Sequence, residues 1–135
     1  MIGLVLVSHS RLVALGTKEI ASQMAPGVAI IAAGGTADGF LGTDATLIQK
    51  GIEEIAHCEG ILLLMDLGSA VLSAEMALDF LTEKVRAKVE LADGPLVEGA
   101  VAAAVEASLG SPLAAVKAAA EGAASLKKLQ CEGRQ

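Results

Sequence analysis

Residues 60–69, Gly60-Ile61-Leu62-Leu63-Leu64-Met65-Asp66-Leu67-Gly68-Ser69, decide the fold. Large apolar residues stand in an unbroken row from Ile61 to Met65 with no polar alternation, the pattern of a strand covered on both faces. Gly60 introduces the run, and Asp66-Leu67-Gly68-Ser69 turns it into a helix from about Ala70 to Thr82. A strand buried on two sides belongs in the middle of a parallel sheet, so helices are needed above and below it.

The same grammar extends in both directions. Upstream, Ile2 to Val7 is a short apolar run followed by a helix from Ser10 to Met24, in which Leu12, Leu15, Ile20 and Met24 recur at helical spacings until Pro26-Gly27 stops the pattern. Val28 to Ala33 makes another strand, Gly34-Gly35-Thr36-Ala37-Asp38-Gly39 a loop, and a helix runs from about Asp44 to Cys58. Thr43 or Asp44 is its expected N-cap, with Leu47, Ile48, Ile52 and Ile55 facing inward. Downstream, Arg86, Lys88 and Glu90 alternate with Val85, Val89 and Leu91, which predicts an edge strand over Val85 to Leu91. Ala-rich helices are expected over Leu96–Leu109 and Pro112–Leu129, and the end, Cys131 to Gln135, is expected to fray. The predicted architecture is α/β: a doubly wound, mainly parallel sheet of four or five strands with helices on both faces.

A chain of 135 residues suits one domain, here residues 1–126 with a tail over 127–135. The 53% hydrophobic and 1% aromatic composition calls for a core of Val, Ile, Leu, Met and Ala. A net charge of −6 argues against nucleic acid and against an anionic membrane surface as partners. No apolar run reaches the ~18 to 20 residues of a membrane span. Cys58 and Cys131 lie far apart and outside any CxxC, so reduced thiols and a cytoplasmic location are expected. The opening MIGLVLVSHSRL has no basic leader, and His9 and Arg11 interrupt it, so it reads as strand and not as signal peptide.

Ligands of open α/β sheets bind beyond the carboxyl ends of the strands, where strand order reverses. The ends of the first three strands deliver Ser8-His9-Ser10, Gly34-Gly35-Thr36 and Asp66-Leu67-Gly68-Ser69 to that edge. If strands one and three are neighbours, His9 faces Asp66. A helix start favours anions and disfavours imidazolium, and neutral imidazole is a nucleophile towards phosphorus. Asp66 would hold one ring nitrogen of His9 and leave the other free. Ser10, Gly35, Thr36, Gly68 and Ser69 are the candidate phosphate-binding residues, and no metal is needed. From spacing alone, a helix-start histidine, an ordinary loop acid and glycine turn chemistry explain the same residues. His57 beside Cys58 reads as a cation at a helix end next to a small buried thiol. The glycine loop fits neither the P-loop nor the dinucleotide fingerprint.

What separates these readings is a set of segments taken together: Ser8-His9-Ser10 after the first strand, GGTADGFLGTD from Gly34, MDLGSA from Met65 and ADGPLVEGAVAAAV from Ala92. From Met1 to about Leu126 the chain resembles the mannose-type enzyme IIA family of the bacterial phosphotransferase system, and within it the phosphotransfer subunits of dihydroxyacetone kinases. The resemblance implies that His9 accepts phosphate from the carrier protein HPr and that Asp66 orients it. It further implies transfer to ADP held, with Mg, on the ADP-binding kinase subunit, no cofactor on this chain itself, and a homodimer. Transporter members commonly carry glycines around the histidine, where this chain has Ser8 and Ser10, which favours the kinase system over transfer to a transporter IIB component. A receiver domain would need acidic metal ligands after strand one, and a flavin-binding module would be expected to offer Trp or Tyr. The chain has neither feature.

Overall fold

The structure, a computed structural model, describes residues 1–129. Its strands are β1 (Ile2–Ser8), β2 (Ile30–Gly34), β3 (Gly60–Met65) and β4 (Val89–Leu91), all parallel and ordered β2-β1-β3-β4. The helices are α1 (Arg11–Met24), α2 (Ala45–Glu54), α3 (Gly68–Asp79), α4 (Glu83–Arg86), α5 (Leu96–Ser108) and α6 (Leu113–Gly122). The chain leaves β1 towards β2 on one side and returns past it to β3 on the other. Strand order therefore reverses between β1 and β3, whose register pairs Val7 with Met65.

Period-two alternation sorts the central strands into two cores. Leu4, Leu6, Leu62 and Leu64 face Ala21 of α1, Ala100 and Ala104 of α5, and Val116 and Ala120 of α6. Val5, Val7, Leu63 and Met65 face Ile48 and Ile52 of α2 and Ala70, Ala74 and Ala77 of α3. Both faces are thus covered, and the architecture is the doubly wound α/β fold expected from the apolar runs. Alanine at the contacts lets helices sit close to the sheet, which is how a core almost without aromatics reaches close packing.

Three local expectations are corrected. Residues 85–91 do not form one strand: the Thr82 hydroxyl accepts from the Val85 N–H and caps one helical turn, leaving only Val89–Leu91 to pair with β3 at the sheet edge. The last helix ends at Gly122, not near Leu129. A 3-10 turn over Ala123–Ser125 follows, its Ser125 hydroxyl donates back to the Gly122 carbonyl, and Leu126 is extended. The expectation for Cys131 to Gln135 lies outside the described residues. Finally, the periodic Leu12, Leu15, Ile20 and Met24 of α1 are exposed, at 74%, 40%, 50% and 60%, while the helix buries Ala14, Thr17 and Ala21. The reason is proximity: a Cβ on Gly34 would lie 2.4 Å from the Ser10 carbonyl oxygen and 2.7 Å from Ala14 Cβ, so only small residues fit beneath α1.

Candidate functional site

β1 ends in Ser8, and the chain turns through His9 before Ser10 caps α1, its hydroxyl accepting from the Val13 N–H at 3.2 Å. β3 ends in Met65, and Asp66-Leu67 leads into α3. Because β1 and β3 are neighbours, these two turns lie side by side at the carboxyl edge of the sheet.

The geometry centres on Asp66. Its Oδ1 accepts from His9 Nδ1 at 2.9 Å and from the Leu67 N–H at 2.7 Å; its Oδ2 accepts from the His9 N–H and the Ser8 hydroxyl, both at 2.9 Å. Burial alone would push this carboxyl up, but the bonds from the His9 backbone, the His9 ring, Ser8 and Leu67 outweigh it and hold Asp66 below its ordinary value. An ionised Asp66 is an acceptor only, so the network assigns the proton to Nδ1 and the free lone pair to Nε2. Ser69 Oγ lies 2.6 Å from Nε2 and donates to it in the neutral ring. The His9 and Asp66 side chains are 27% and 18% exposed, accessible from the rim yet partly shielded.

The structure brings His9, Asp66 and Ser69 together, with Gly68 beside them at the first turn of α3. The first-turn N–H groups of Gly68 and Ser69 have no partner within the helix, and the positive end of its dipole points at the same place. The remaining candidates have other partners. Ser10 caps α1 and donates its N–H to Ser8 Oγ. The Gly35 N–H goes to the Ser8 carbonyl, with φ of 74° at that glycine, and Thr36 bonds to Phe40 through both its N–H and its hydroxyl. This loop is also tied to the turn that carries His9, because the Gly42 N–H donates to the His9 carbonyl at 2.8 Å. An open groove of about 540 Å³ adjoins Asp66, Leu67 and Gly68, with Glu75 and Asp93 on its wall. His9 does not line it.

The residue that sequence reading left without a role is Ser8. Its position as the last, fully buried residue of β1 is not visible in composition, and its partner is 58 residues away in sequence.

The sequence matches the family described as PTS system fructose IIA component over residues 3–117. The chain belongs to this family. Among its relatives, "PEP-dependent dihydroxyacetone kinase, phosphoryl donor subunit DhaM" of Providencia stuartii is 44% identical over 139 residues, covering 100% of this chain and 26% of its own. The corresponding subunit of Pantoea ananatis is 40% identical, with 96% of this chain and 28% of its own covered. The chain thus spans about a quarter of the length of these two curated relatives. In Listeria innocua, a "PEP-dependent dihydroxyacetone kinase 2, phosphoryl donor subunit DhaM" is 46% identical over 107 residues, 78% of this chain and 86% of that one. Among solved structures, a protein of unknown function superposes with a TM-score of 0.85 at 39% identity, covering 96% of this chain and 98% of the other. The mannose/sorbose specific IIA subunit of Enterococcus faecalis, at TM-score 0.50 and 22% identity over 95% of this chain and 96% of its own, shares the fold.

Proposed function

We propose that this IIA domain is a phosphoryl carrier, phosphorylated on His9 by HPr and discharged to ADP on the partner subunit of a dihydroxyacetone kinase. The observation that carries the reading is the Asp66–His9 pair, 2.9 Å apart at Nδ1, which leaves Nε2 directed to the partly exposed rim. The chemistry follows from that tautomer. The Nε2 lone pair attacks phosphorus on the donor's phosphohistidine; a new N–P bond forms as the old one breaks, and the donor imidazole leaves with its electron pair. The Nδ1 proton stays where it is. Asp66 stabilises the positive charge that the ring then shares, and no proton has to reach solvent.

The Ser69 hydroxyl, which donates to Nε2 at rest, turns aside on attack and donates to a phosphoryl oxygen. The Gly68 and Ser69 N–H groups at the start of α3 meet the other oxygens, where added negative charge is favoured. In discharge, a β-phosphate oxygen of ADP attacks phosphorus and Nε2 leaves as neutral imidazole. ADP and Mg are held by the partner subunit, and this chain supplies neither metal nor cofactor. The relatives' designation as phosphoryl donor subunits supports the kinase as acceptor over a transporter IIB. A cytoplasmic homodimer, as the family resemblance implies, completes the reading.

The test is peptide mapping by mass spectrometry after incubation with phosphorylated HPr. The expected label is a single acid-labile, alkali-stable phosphoryl group on His9 that passes to the ADP-loaded kinase subunit. Label on Asp66 would overturn the site, and discharge only to a transporter IIB would overturn the acceptor.

A further inference from the structure

We propose that Ser8 is a positioning residue for the His9–Asp66 pair: its buried hydroxyl fixes the carboxylate that sets the His9 tautomer. The inference rests on the proposed role of His9 and Asp66. Two buried polar side chains occur among the described residues, Ser8 and Thr17. Thr17 is accounted for by its own helix, since its hydroxyl donates to the Val13 carbonyl at 2.8 Å. Ser8, fully excluded from solvent, is committed to the site.

The direction of its bonds is unambiguous. The Ser10 N–H can only donate, and it lies 3.0 Å from Ser8 Oγ, so it occupies a hydroxyl lone pair. The hydroxyl proton is thereby aimed at Asp66 Oδ2, 2.9 Å away. A buried hydroxyl with one acceptor in reach has little reason to rotate. The remaining donors to Asp66 are two backbone amides and the His9 ring. Ser8 is therefore the side chain through which the carboxylate can be loosened without altering the nucleophile. It also ties the start of α1 to the end of β3, because a single oxygen joins the Ser10 amide to Asp66.

Of the titratable groups around Asp66, His9 bonds to it from the end of β1, while Glu75 of α3 and Asp93 beyond β4 line the same groove. Removing the Ser8 hydroxyl should raise the pH at which Asp66 ionises and weaken its hold on Nδ1.

The experiment compares wild type, Ser8→Ala and Ser8→Thr. Expected for Ser8→Ala is phosphorylation still on His9, a maximal uptake rate lowered on the order of tenfold, as when an outer partner of an oriented histidine is lost, and an unchanged half-saturating concentration of phosphorylated HPr. The pH at which the Asp66 carboxyl carbon titrates should move up, and ¹⁵N shifts of the ring should show less of the Nδ1–H tautomer. Ser8→Thr, which keeps the hydroxyl, should restore the tautomer and the Asp66 titration. A Ser8→Ala protein with the wild-type Asp66 titration and tautomer sinks the proposal, whatever its rate. If the alanine variant does not fold, the wild-type protein decides the matter: the Ser8 hydroxyl proton should be a slowly exchanging resonance whose shift follows titration of the Asp66 carboxyl carbon, and one indifferent to that titration refutes it. The tautomer and hydroxyl readings need no phosphoryl donor, so absence of label on His9 would defeat the carrier reading alone.

Discussion

The two ends of the sheet each carry a histidine beside a small polar residue, and they are built differently. At the carboxyl edge, His9 is held at Nδ1 by Asp66 and at Nε2 by Ser69, within 2.9 Å and 2.6 Å. At the amino edge, His57 is exposed, and its hydrogen-bonding neighbour among the described residues is Cys58 Sγ at 3.9 Å. Burial pushes the Cys58 thiol up, against smaller opposing effects of the N-terminal ammonium and Lys88, so it remains a protonated, unreactive packing group. Cys58 and His57 border a hollow of about 150 Å³ with Met1, Ile2, Gly27 and Ala29, where no carboxylate contributes to the lining. A histidine becomes a directed nucleophile when a carboxylate fixes its tautomer and a helix N-terminus waits for the product. Among the described residues, only the carboxyl edge of this sheet combines the two.

The sharpest way to break this contrast is to exchange the histidines' fates. His9→Ala is expected to abolish phosphoryl uptake while leaving the circular dichroism spectrum and thermal midpoint close to wild type; His57→Ala should change uptake by less than about twofold, because solvent-exposed side chains away from a site rarely matter. Next in size is Asp66→Asn. It preserves shape but presents an amide to Nδ1, and single-turnover uptake should fall by about 10² to 10⁴, the range for losing the residue that holds a catalytic histidine's tautomer. Ser69→Ala should slow uptake about tenfold or more, since oxyanion-type donors contribute up to ~10³ each; wild-type rates in that variant would remove Ser69 from the phosphate site.

Packing sharpens the comparison in a second way. A Cβ on Gly34, at the carboxyl edge, meets fixed backbone: the Ser10 carbonyl oxygen at 2.4 Å and Arg11 Cα at 2.9 Å. A Cβ on Gly3, near the amino edge, meets chiefly side-chain ends, Ile55 Cδ1 at 2.9 Å and Cys58 Sγ at 3.0 Å, with the Ala29 carbonyl oxygen at 3.4 Å. Gly34→Ala should therefore cost about 2 to 3 kcal/mol in urea unfolding and Gly3→Ala about 1 kcal/mol, within the range for overpacking. The former should also slow uptake, because it displaces the start of α1.

The smallest expected effect is in acid. Asp66 has a lower pKa folded than unfolded, so its ionised form stabilises the fold above the unfolded value, and that contribution is lost as pH falls through the folded value. The difference in unfolding midpoint between wild type and Asp66→Asn should accordingly narrow below about pH 4, the ordinary carboxylate range. A difference independent of pH would show that Asp66 does not titrate with folding.

Much of this was legible in the chain itself. Ile2–Val7 and Ile61–Met65 announce buried strands because nothing polar interrupts them, and both appear where expected. The cap of α2 was readable to within one residue, Thr43 or Asp44, and the Asp44 side chain takes the place. Residues 85–91 misled because alternation is shared by an edge strand and by one capped turn followed by a short strand, and only the Thr82 bond separates them. On α1 the recurrence of Leu12, Leu15, Ile20 and Met24 gave the helix but not its buried face, since the face was set by how closely α1 approaches Gly34.

Sequence alone determined that His9 and Asp66 would both end apolar strands, because strand limits follow from local runs of side chains. Tertiary structure decided that β1 and β3 are neighbours, which side of α1 is covered, and that Ser8 points its hydroxyl at a carboxylate 58 residues away. Those outcomes depend on crossovers and on contacts between distant segments. Local periodicity carries no record of distance across a sheet, so the pair of residues proposed to make the chemistry was visible as two candidates and came together only on folding.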